Sequence, residues 1–552
     1  MEAKARFAGL AALIAFVAAP VAAQQPPGIQ IRSIAHGSTA ALRSYPPTPP
    51  QWRPGKPPRE VPLRLPKKPR GGGGGGGGGP WTDPDLQTAS YTATFSTTAA
   101  FQGQSFTGAI PPDTNLSVGG QNLANVNGGT EIAQIVNTSY AVYDTSGGQV
   151  LGSTDLSALF GNLPATANCN ANGDGGDTVV LWDKSDGHWL IGQLAYNSDF
   201  TQNDYCLAIS DTADAAGSYQ VYDIPFGSDT PDYPKLAVWG DGIYFSANMF
   251  KLKVNRFTGA ISATFLGAQA CSFPRPTTLP GSVTFTCTGS GNAAIYNILP
   301  ADVDGPTLPA GSDYYLQFVD NLSSTSGNEL TLYQFQSGKL VALGNLSVGT
   351  FHEACGGGTC VPELGTTQQL DSLGDRLMYR LSYRNYGASQ AMVVNHSVQL
   401  SSTSHQAGIR WYKLCSQTAP VPFKVCDQST FSPDLATYRW MGSIAQDSAG
   451  DFGLGYSTSS SSIYPSVAVT GLNSVLGETG METESTIFPG PNFQDTYSRW
   501  GDYSSMAVDP HDDCTFWYTT EYSTTTDLFG IDNFFWGTVI GSFHFPNCAA
   551  NP

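Results

Sequence analysis

Four aspartates, Asp113, Asp177, Asp232 and Asp502, each stand just before a short apolar strand pattern, and Asp371 occupies a comparable place. Carboxylates brought together from distant segments support three kinds of chemistry. They can bind a cation through oxygen ligands, or hold one protonated acid beside one ionised base for glycoside-type cleavage. They can also cap strand ends by accepting backbone N–H groups. Asp177, Asp232 and Asp502 are the catalytic candidates, and the strand-capping reading stands beside the two functional ones.

Two further patterns bear on chemistry. RWMGSIAQD begins at Arg439 and RWGDYSSMAVDP at Arg499, so Arg439-Trp440 and Arg499-Trp500 form an echo about sixty residues apart. Arginine offers a planar donor fork for carboxylates, and tryptophan stacks on apolar faces. These four residues are candidates for binding an acidic sugar or peptide end; the alternative is an ion-paired arginine and a core tryptophan. Asp502 follows only the second pair, which centres any chemistry there. In NCNANGDGGD, Asn170, Asn172 and Asp174 alternate, with Asp177 soon after. Alternating oxygen side chains and glycine suit a Ca2+ loop, although the terminal Glu and flanking helices of an EF-hand are missing. No cofactor is otherwise required. The seven histidines form no HExxH pattern, no CxxC pair is present, and no nucleophile elbow precedes a helix.

The elements that must position these groups read as β throughout. DTVVLWDKSDGHWLIGQLA, DYPKLAVWGDGIYFSANMF, LPADVDGPTLPAGSDYYLQFVD and LDSLGDRLMYRLSYRNYG each give an apolar strand, an Asp or Gly turn and an aromatic-rich strand. DTNLSVGGQNLANVNG and the two Arg-Trp segments follow the same grammar. The unit recurs about seven times at intervals of roughly 58 to 72 residues, and a second strand pair follows each copy. Four strands per interval is a propeller blade. The predicted fold is all-β: a single seven-bladed β-propeller, with six or eight blades as the alternatives, preceded by a disordered Pro/Gly-rich tether.

Three segments are expected. Residues 1–23 read as a secretory signal peptide: positive charges precede an apolar run that ends in Val21-Ala22-Ala23. Residues 24–80 form a basic linker with nine Arg or Lys, one acid (Glu60) and nine consecutive glycines at 71–79. Residues 81–552 form the propeller. The ten cysteines, an even number in an exported chain, predict five disulfides, and pairing of sequence neighbours is expected: Cys169 with Cys206, Cys271 with Cys287, Cys355 with Cys360, Cys415 with Cys426, and Cys514 with Cys548. N-x-S/T acceptors occur at Asn115, Asn137, Asn321, Asn345 and Asn395.

With a net charge of −18 and no basic-aromatic groove, nucleic acid is the poorest partner class. After the leader, no stretch is apolar and long enough for a transmembrane helix. The cationic tether could contact an anionic envelope. The expected location is secreted or extracytoplasmic, with cell-envelope association possible.

SYAVYDTSG, DYPKLAVWGDGIYFS, DSLGDRLMYRLSYRN, RWMGSIAQD and RWGDYSSMAVDP, spread from Thr107 to Cys548, together resemble a family of large secreted or envelope-associated β-propeller proteins without a characterised function. The resemblance implies a secreted propeller and brings no activity or catalytic residue. Asp-box turns of sialidases are matched poorly by DSAGDFGLGY and DKSDGHW. From sequence, the leading function is an extracellular recognition or scaffold propeller that binds a carbohydrate or protein at the channel mouth. The alternative is a carbohydrate-active hydrolase or lyase using the mouth carboxylates.

Overall fold

Hairpins are built by the turn chemistry that the sequence advertises. Val179–Asp183 and His188–Tyr196 pair antiparallel, with Leu181 opposite Leu190. Between them, Asp183 accepts the Ser185 N–H at 3.0 Å, and Gly187 adopts φ +75°, which costs glycine little. A computed structural model describes residues 28–46, 59–60, 80–121, 129–275, 281–289, 291–320, 328–417, 422–524 and 534–548. The predicted signal peptide and the polyglycine run lie outside these.

The protein is all-β, made of antiparallel sheets of four to nine strands in a propeller-like arrangement. Sheets I to VII are named here by their first strands. These are Asn115–Gly119, Val179–Asp183, Thr230–Trp239, Leu299–Asp304, Met378–Asn385, Tyr438–Gln446 and Ser505–Val508. Sheets IV and V fuse into one nine-stranded sheet, because their first strands pair in parallel, Ala301 opposite Leu381. Each first strand touches the first strand of the next sheet, and Ser505–Val508 of sheet VII also touches Asn115–Gly119 of sheet I. The fourth strand of sheet VII comes from far upstream: Ser96–Ser105 pairs with Trp536–His544.

The segment LDSLGDRLMYRLSYRN departs from the predicted register. Met378–Asn385 is the first strand of sheet V, followed by Gln390–Ser401, whereas Gln369–Asp371 belongs to a separate two-stranded piece with Thr359–Pro362. The aromatic strand was expected to come second. It comes first because Tyr379, Leu381 and Tyr383 are buried between neighbouring sheets, a job period-2 patterning alone does not reveal.

The tether expectation also changes over part of its length. Ile29–Arg32 pairs with Thr284–Cys287 at the outer edge of sheet III, and Ala35–Ser38 pairs with Tyr222 and its neighbours in sheet II. Leu42 is then buried, and Arg43 binds Asp214 at 2.5 Å. An outer strand edge presents unpaired N–H and C=O groups that an extended segment can satisfy. A basic, Pro-rich composition does not announce such pairing.

All ten cysteines pair as sequence neighbours: 169–206, 271–287, 355–360, 415–426 and 514–548. Three close loops of 5 to 16 residues and staple a local hairpin or turn, while 169–206 and 514–548 span 37 and 34 residues. Of the acceptor asparagines, Asn115, Asn137 and Asn395 are buried and Asn345 is exposed, while Asn321 lies outside the described residues. Among the described residues no helix is long and apolar enough to cross a membrane.

Candidate functional site

The backbone just ahead of the first strands, or within their opening residues, repeats an unusual conformation. Asp113, Asp177, Tyr233, Asn297 and Met441 all have φ between 46° and 55°. Asp and Asn tolerate this left-handed region better than most residues. The kink delivers neighbouring side chains from different sheets to one place.

A closed hydrogen-bond circuit results. Asn137 donates from Nδ2 to Asp113 Oδ2 at 2.7 Å, and its Oδ1 accepts the Asp177 N–H at 2.8 Å. Asp177 Oδ2 accepts the Tyr233 N–H at 2.7 Å, and the Tyr233 hydroxyl donates to the Asp502 carbonyl at 3.2 Å. The Asp502 N–H returns to Asp113 Oδ1 at 3.0 Å. Sheets I, II, III and VII are thus tied through three aspartates, an asparagine and a tyrosine. Asp232 precedes Tyr233 in the same strand, at the irregularity before Lys235. Arg499 Nη2 holds Asp502 Oδ2 at 2.9 Å, and the Gly501 N–H donates to Glu521 Oε1.

Cations and rings complete the site. Lys235 Nζ lies 3.1 Å from the Tyr233 ring centre and 3.7 Å from that of Tyr503, the geometry of a cation–π sandwich. Tyr503 donates its hydroxyl to the Pro234 carbonyl at 3.2 Å. The Arg376 guanidinium stands 4.6 Å from the Tyr233 ring and is bonded to Asp375 at 2.9 Å. Asp113, Asp177 and Lys235 are deeply buried; Asp232, Asp375 and Arg376 are only half-buried, so the site opens on their side.

Burial is the main electrostatic force here, because a low-dielectric setting penalises charge. It pushes the Asp113 carboxyl well above the ordinary range, helped by Asp502 and Asp177. Burial, then the Asp232 charge, lifts Asp177 to about 8. Burial raises Asp232 to about 6 against the pull of Arg376, and raises Glu521 to about 8. It pushes the Lys235 ammonium well below its usual value despite Asp177. Asp177 Oδ1, Asp502 Oδ1 and Glu521 Oε2 are buried without a hydrogen-bond partner. Asn137 is the hinge of the circuit. Replacing it with alanine strands the Asp177 N–H and removes a donor from Asp113; denaturant titration should show a loss of about 1–3 kcal/mol.

Other predicted site residues take different places. Asp371 accepts the Leu373 N–H at 3.1 Å within its two-stranded piece. Arg439 is buried and fully engaged, with Glu484 at 2.6 Å and Asp434 at 2.6 Å. Trp440 and Trp500 are buried in the core, ring centres 5.9 Å apart. The Arg-Trp echo therefore packs sheets together, and only Arg499 reaches the acid site. A strand that must cover the core selects tryptophan whether or not a ligand is near. In the suspected Ca2+ loop, Asn170 spends its amide on the Leu163 carbonyl at 2.6 Å, and Asn172 donates to Asn168 at 2.8 Å. Asp177 faces the acid site instead. Among the described residues no three His, Cys, Asp or Glu side chains are grouped to hold a metal ion.

Sequence reasoning missed Asn137, Tyr233, Tyr503, Lys235, Arg376 and Glu521. One signal was available: Asp232-Tyr233 and Asp502-Tyr503 are the same dipeptide at the same place in sheets III and VII. Also missed was an ionic belt along the first strands. There Arg380 binds Asp302 at 2.7 Å and Asp304 at 2.5 Å, and Lys184 lies 3.5 Å from Asp304. Arg384 grips Asp513 through both terminal nitrogens at 2.7 Å. A narrow cavity is lined by Lys184, Asp302, Asp304 and Arg380.

No protein-family model matches the chain, and no curated protein matches it. Among solved structures, the α-L-arabinofuranosidase Arb93A of Fusarium graminearum aligns with 84% of this chain and 99% of its own, at 8% identity and a TM-score of 0.32. An α-L-arabinanase of Penicillium chrysogenum aligns over 73% and 100%, at 10% identity and 0.31. A protein of unknown function from Dyadobacter fermentans aligns over 67% and 94%, at 10% identity and 0.33. Superpositions this loose carry no argument about activity, which must come from the site itself.

Proposed function

We propose that the protein is an extracytoplasmic carbohydrate-active hydrolase whose site is the acid cluster at the mouth of a seven-bladed propeller. The seven first strands that touch in succession support the blade count, and the Ser96–Ser105 strand in sheet VII supports ring closure. The apolar leader and five disulfides support export. On this reading the signal peptide spans 1–23, and the body begins near 81 with part of 24–80 strapped to its outside.

The observation that carries the activity is one half-buried carboxyl raised to about 6, Asp232, sharing a site with a carboxylate salt-bridged to arginine, Asp502. Environments that differ in this way assign acid and base roles. Asp232 donates a proton to the departing glycosidic oxygen. Asp502, whose Oδ1 is unpartnered but buried until the mouth admits substrate, then activates water or attacks the anomeric carbon. Asp177 and Asp113 stay largely neutral beneath them and position the turn through Tyr233 and Asn137.

The test is purified mature protein incubated with a panel of extracellular polysaccharides, with new reducing ends measured. Asp232→Asn and Asp502→Asn should each lower kcat by about 10²–10⁴-fold. The rate should also fall as pH rises through about 6, where Asp232 loses its proton. Variants that retain full activity overturn the assignment.

One observation favours recognition without turnover. Asp113 and Asp177 have no exposed surface, and each accepts a main-chain N–H from a neighbouring sheet, so they serve as staples. Specific polymer binding without new reducing ends selects that reading.

A further inference from the structure

Sheet III carries a hairpin that outgrows the rest of the sheet. Its second strand, Gly242–Val254, pairs with the first only as far as Phe250 opposite Thr230. Strand continues from Lys251 to Val254, paired with Ile261 to Thr264. Four residues at about 3.3 Å each project roughly 13 Å past the start of the first strand. Asp232 lies at that same end of the first strand, opposite Asn248, so the finger rises from the face on which the acid site opens.

The finger is held stiffly. On one side Phe250 and Leu252 are buried against Phe200, with Tyr196, Val254, Ala263 and Phe265 packed around them. At the tip, Asn255 Oδ1 accepts the Phe257 N–H at 2.9 Å, and the Gly259 N–H returns to the Asn255 carbonyl at 2.8 Å. That braced turn presents Phe257, 99% exposed, and Ile261, 42% exposed.

Its charge opposes that of the body. Beyond Trp81, the exposed cationic side chains among the described residues are Lys253, Arg256, Lys339 and Lys424, and two of these four are in the finger. Half-buried Lys251 adds a third charge, bonded to Asp229 at 3.0 Å. Arg256 also acts on exposed Asp199. In a chain of net charge −18, a polyanion is repelled nearly everywhere else, but screening over about 8–10 Å lets a local basic tip act alone.

We propose that this finger is a subsite for an acidic polysaccharide, a polymer of uronic-acid residues, that extends from the acid site. Phe257 stacks on the apolar face of a sugar ring, and Lys253 and Arg256 pair with uronate carboxylates. At the site itself half-buried Arg376, held beside Asp375, supplies the matching cation. A bilayer would also meet an aromatic tip ringed by cations. Recessed Arg376 favours an extended chain, which can reach it where a flat surface cannot. The inference rests on the hydrolase reading for its substrate class but is tested through binding.

The experiment measures binding of polygalacturonate and alginate, with neutral arabinan and phosphatidylglycerol vesicles as comparisons. The proteins are the Asp232→Asn chain and the same chain carrying Lys253→Glu, Arg256→Glu and Phe257→Ala. The finger is exposed, so the triple change should leave Tm unaltered. The expected result is an acid-polymer Kd raised at least tenfold by the triple change, with arabinan binding unchanged and a salt dependence that is lost in the variant. Equal binding by both proteins overturns the proposal, as does failure of the parent to bind either acidic polymer, or finger-dependent binding confined to vesicles. If binding behaves as expected while no polymer is cleaved by the wild-type chain, the hydrolase reading fails and the subsite stands.

Discussion

Replacing Arg380 with methionine is expected to destabilise the protein by about 3–5 kcal/mol, because it removes the main counter-ion of two buried carboxylates. Arg380 is 4% exposed and bonds Asp302 at 2.7 Å, Asp304 at 2.5 Å and the Met506 carbonyl at 3.0 Å. Burial alone would raise the Asp304 carboxyl, yet Arg380, Lys184 and Arg384 outweigh it and hold Asp304 at about 2. Without Arg380 that balance tips, and folding must either bury an uncompensated charge or take up a proton. Denaturant unfolding near pH 6 reads the difference. The triple change Arg380→Met, Asp302→Asn, Asp304→Asn should recover much of the loss, since it removes the stranded charges together with their partner. A single variant within 1 kcal/mol of wild type would show that the belt is dispensable. Arg380 reaches across sheets IV, V and VII, so the loss should appear as a fall in the whole unfolding transition.

The second large effect is on pH. Thermal stability should be greatest in mildly acid solution and decline as pH rises from about 5 to about 9. Burial raises Glu131 and Asp447 to about 7, and Asp177, Asp204, Glu363 and Glu521 to about 8. Each has a folded pKa above its unfolded value near 4. The native state therefore binds more protons than the unfolded chain between those values. A raised carboxyl stabilises fully below its unfolded pKa, and that contribution is lost as pH climbs through the folded pKa. The slope is at most about 1.4 kcal/mol per pH unit for each group that titrates alone. Groups that share a site, such as Asp177 with Asp232, lose their protons jointly and contribute less than separate groups would.

Melting scans at constant ionic strength provide the measurement. Glu363→Gln and Glu521→Gln should each flatten the upper part of the profile, since a neutral amide there has no proton to lose. Glu363 is a clean choice: its Oε2 accepts the Gln494 N–H at 2.9 Å, and its Oε1 has no partner. General self-repulsion of an acidic chain acts in the same direction but is screened by salt, whereas the buried groups are screened much less. A profile that vanishes in high salt, or one unchanged by both glutamine variants, would defeat this explanation.

Much of the architecture was written in local pattern. Alternation, Asp and Gly turns and the repeat interval specify an all-β chain of similar units, because hairpin formation depends on residues close in sequence. Neighbour pairing of the cysteines follows from the same locality, as in Cys271 and Cys287 on adjacent strands. The acids at or just before the starts of the first strands were visible as a set because the repeat aligns them.

Tertiary structure decided the rest. Arg439 and Arg499 look alike in sequence, but Arg439 meets Glu484 and Asp434 while Arg499 meets Asp502. Asn137 carries an acceptor pattern, yet its amide joins Asp113 to Asp177 across 24 and 40 residues. Ile29–Ser38 has a linker's composition and becomes edge strand because sheets II and III leave backbone groups to satisfy. Pairing partners, burial and the pKa values they set depend on which sheets face one another. Local sequence fixes the strands and turns, and long-range packing assigns charge, proton and access to each side chain.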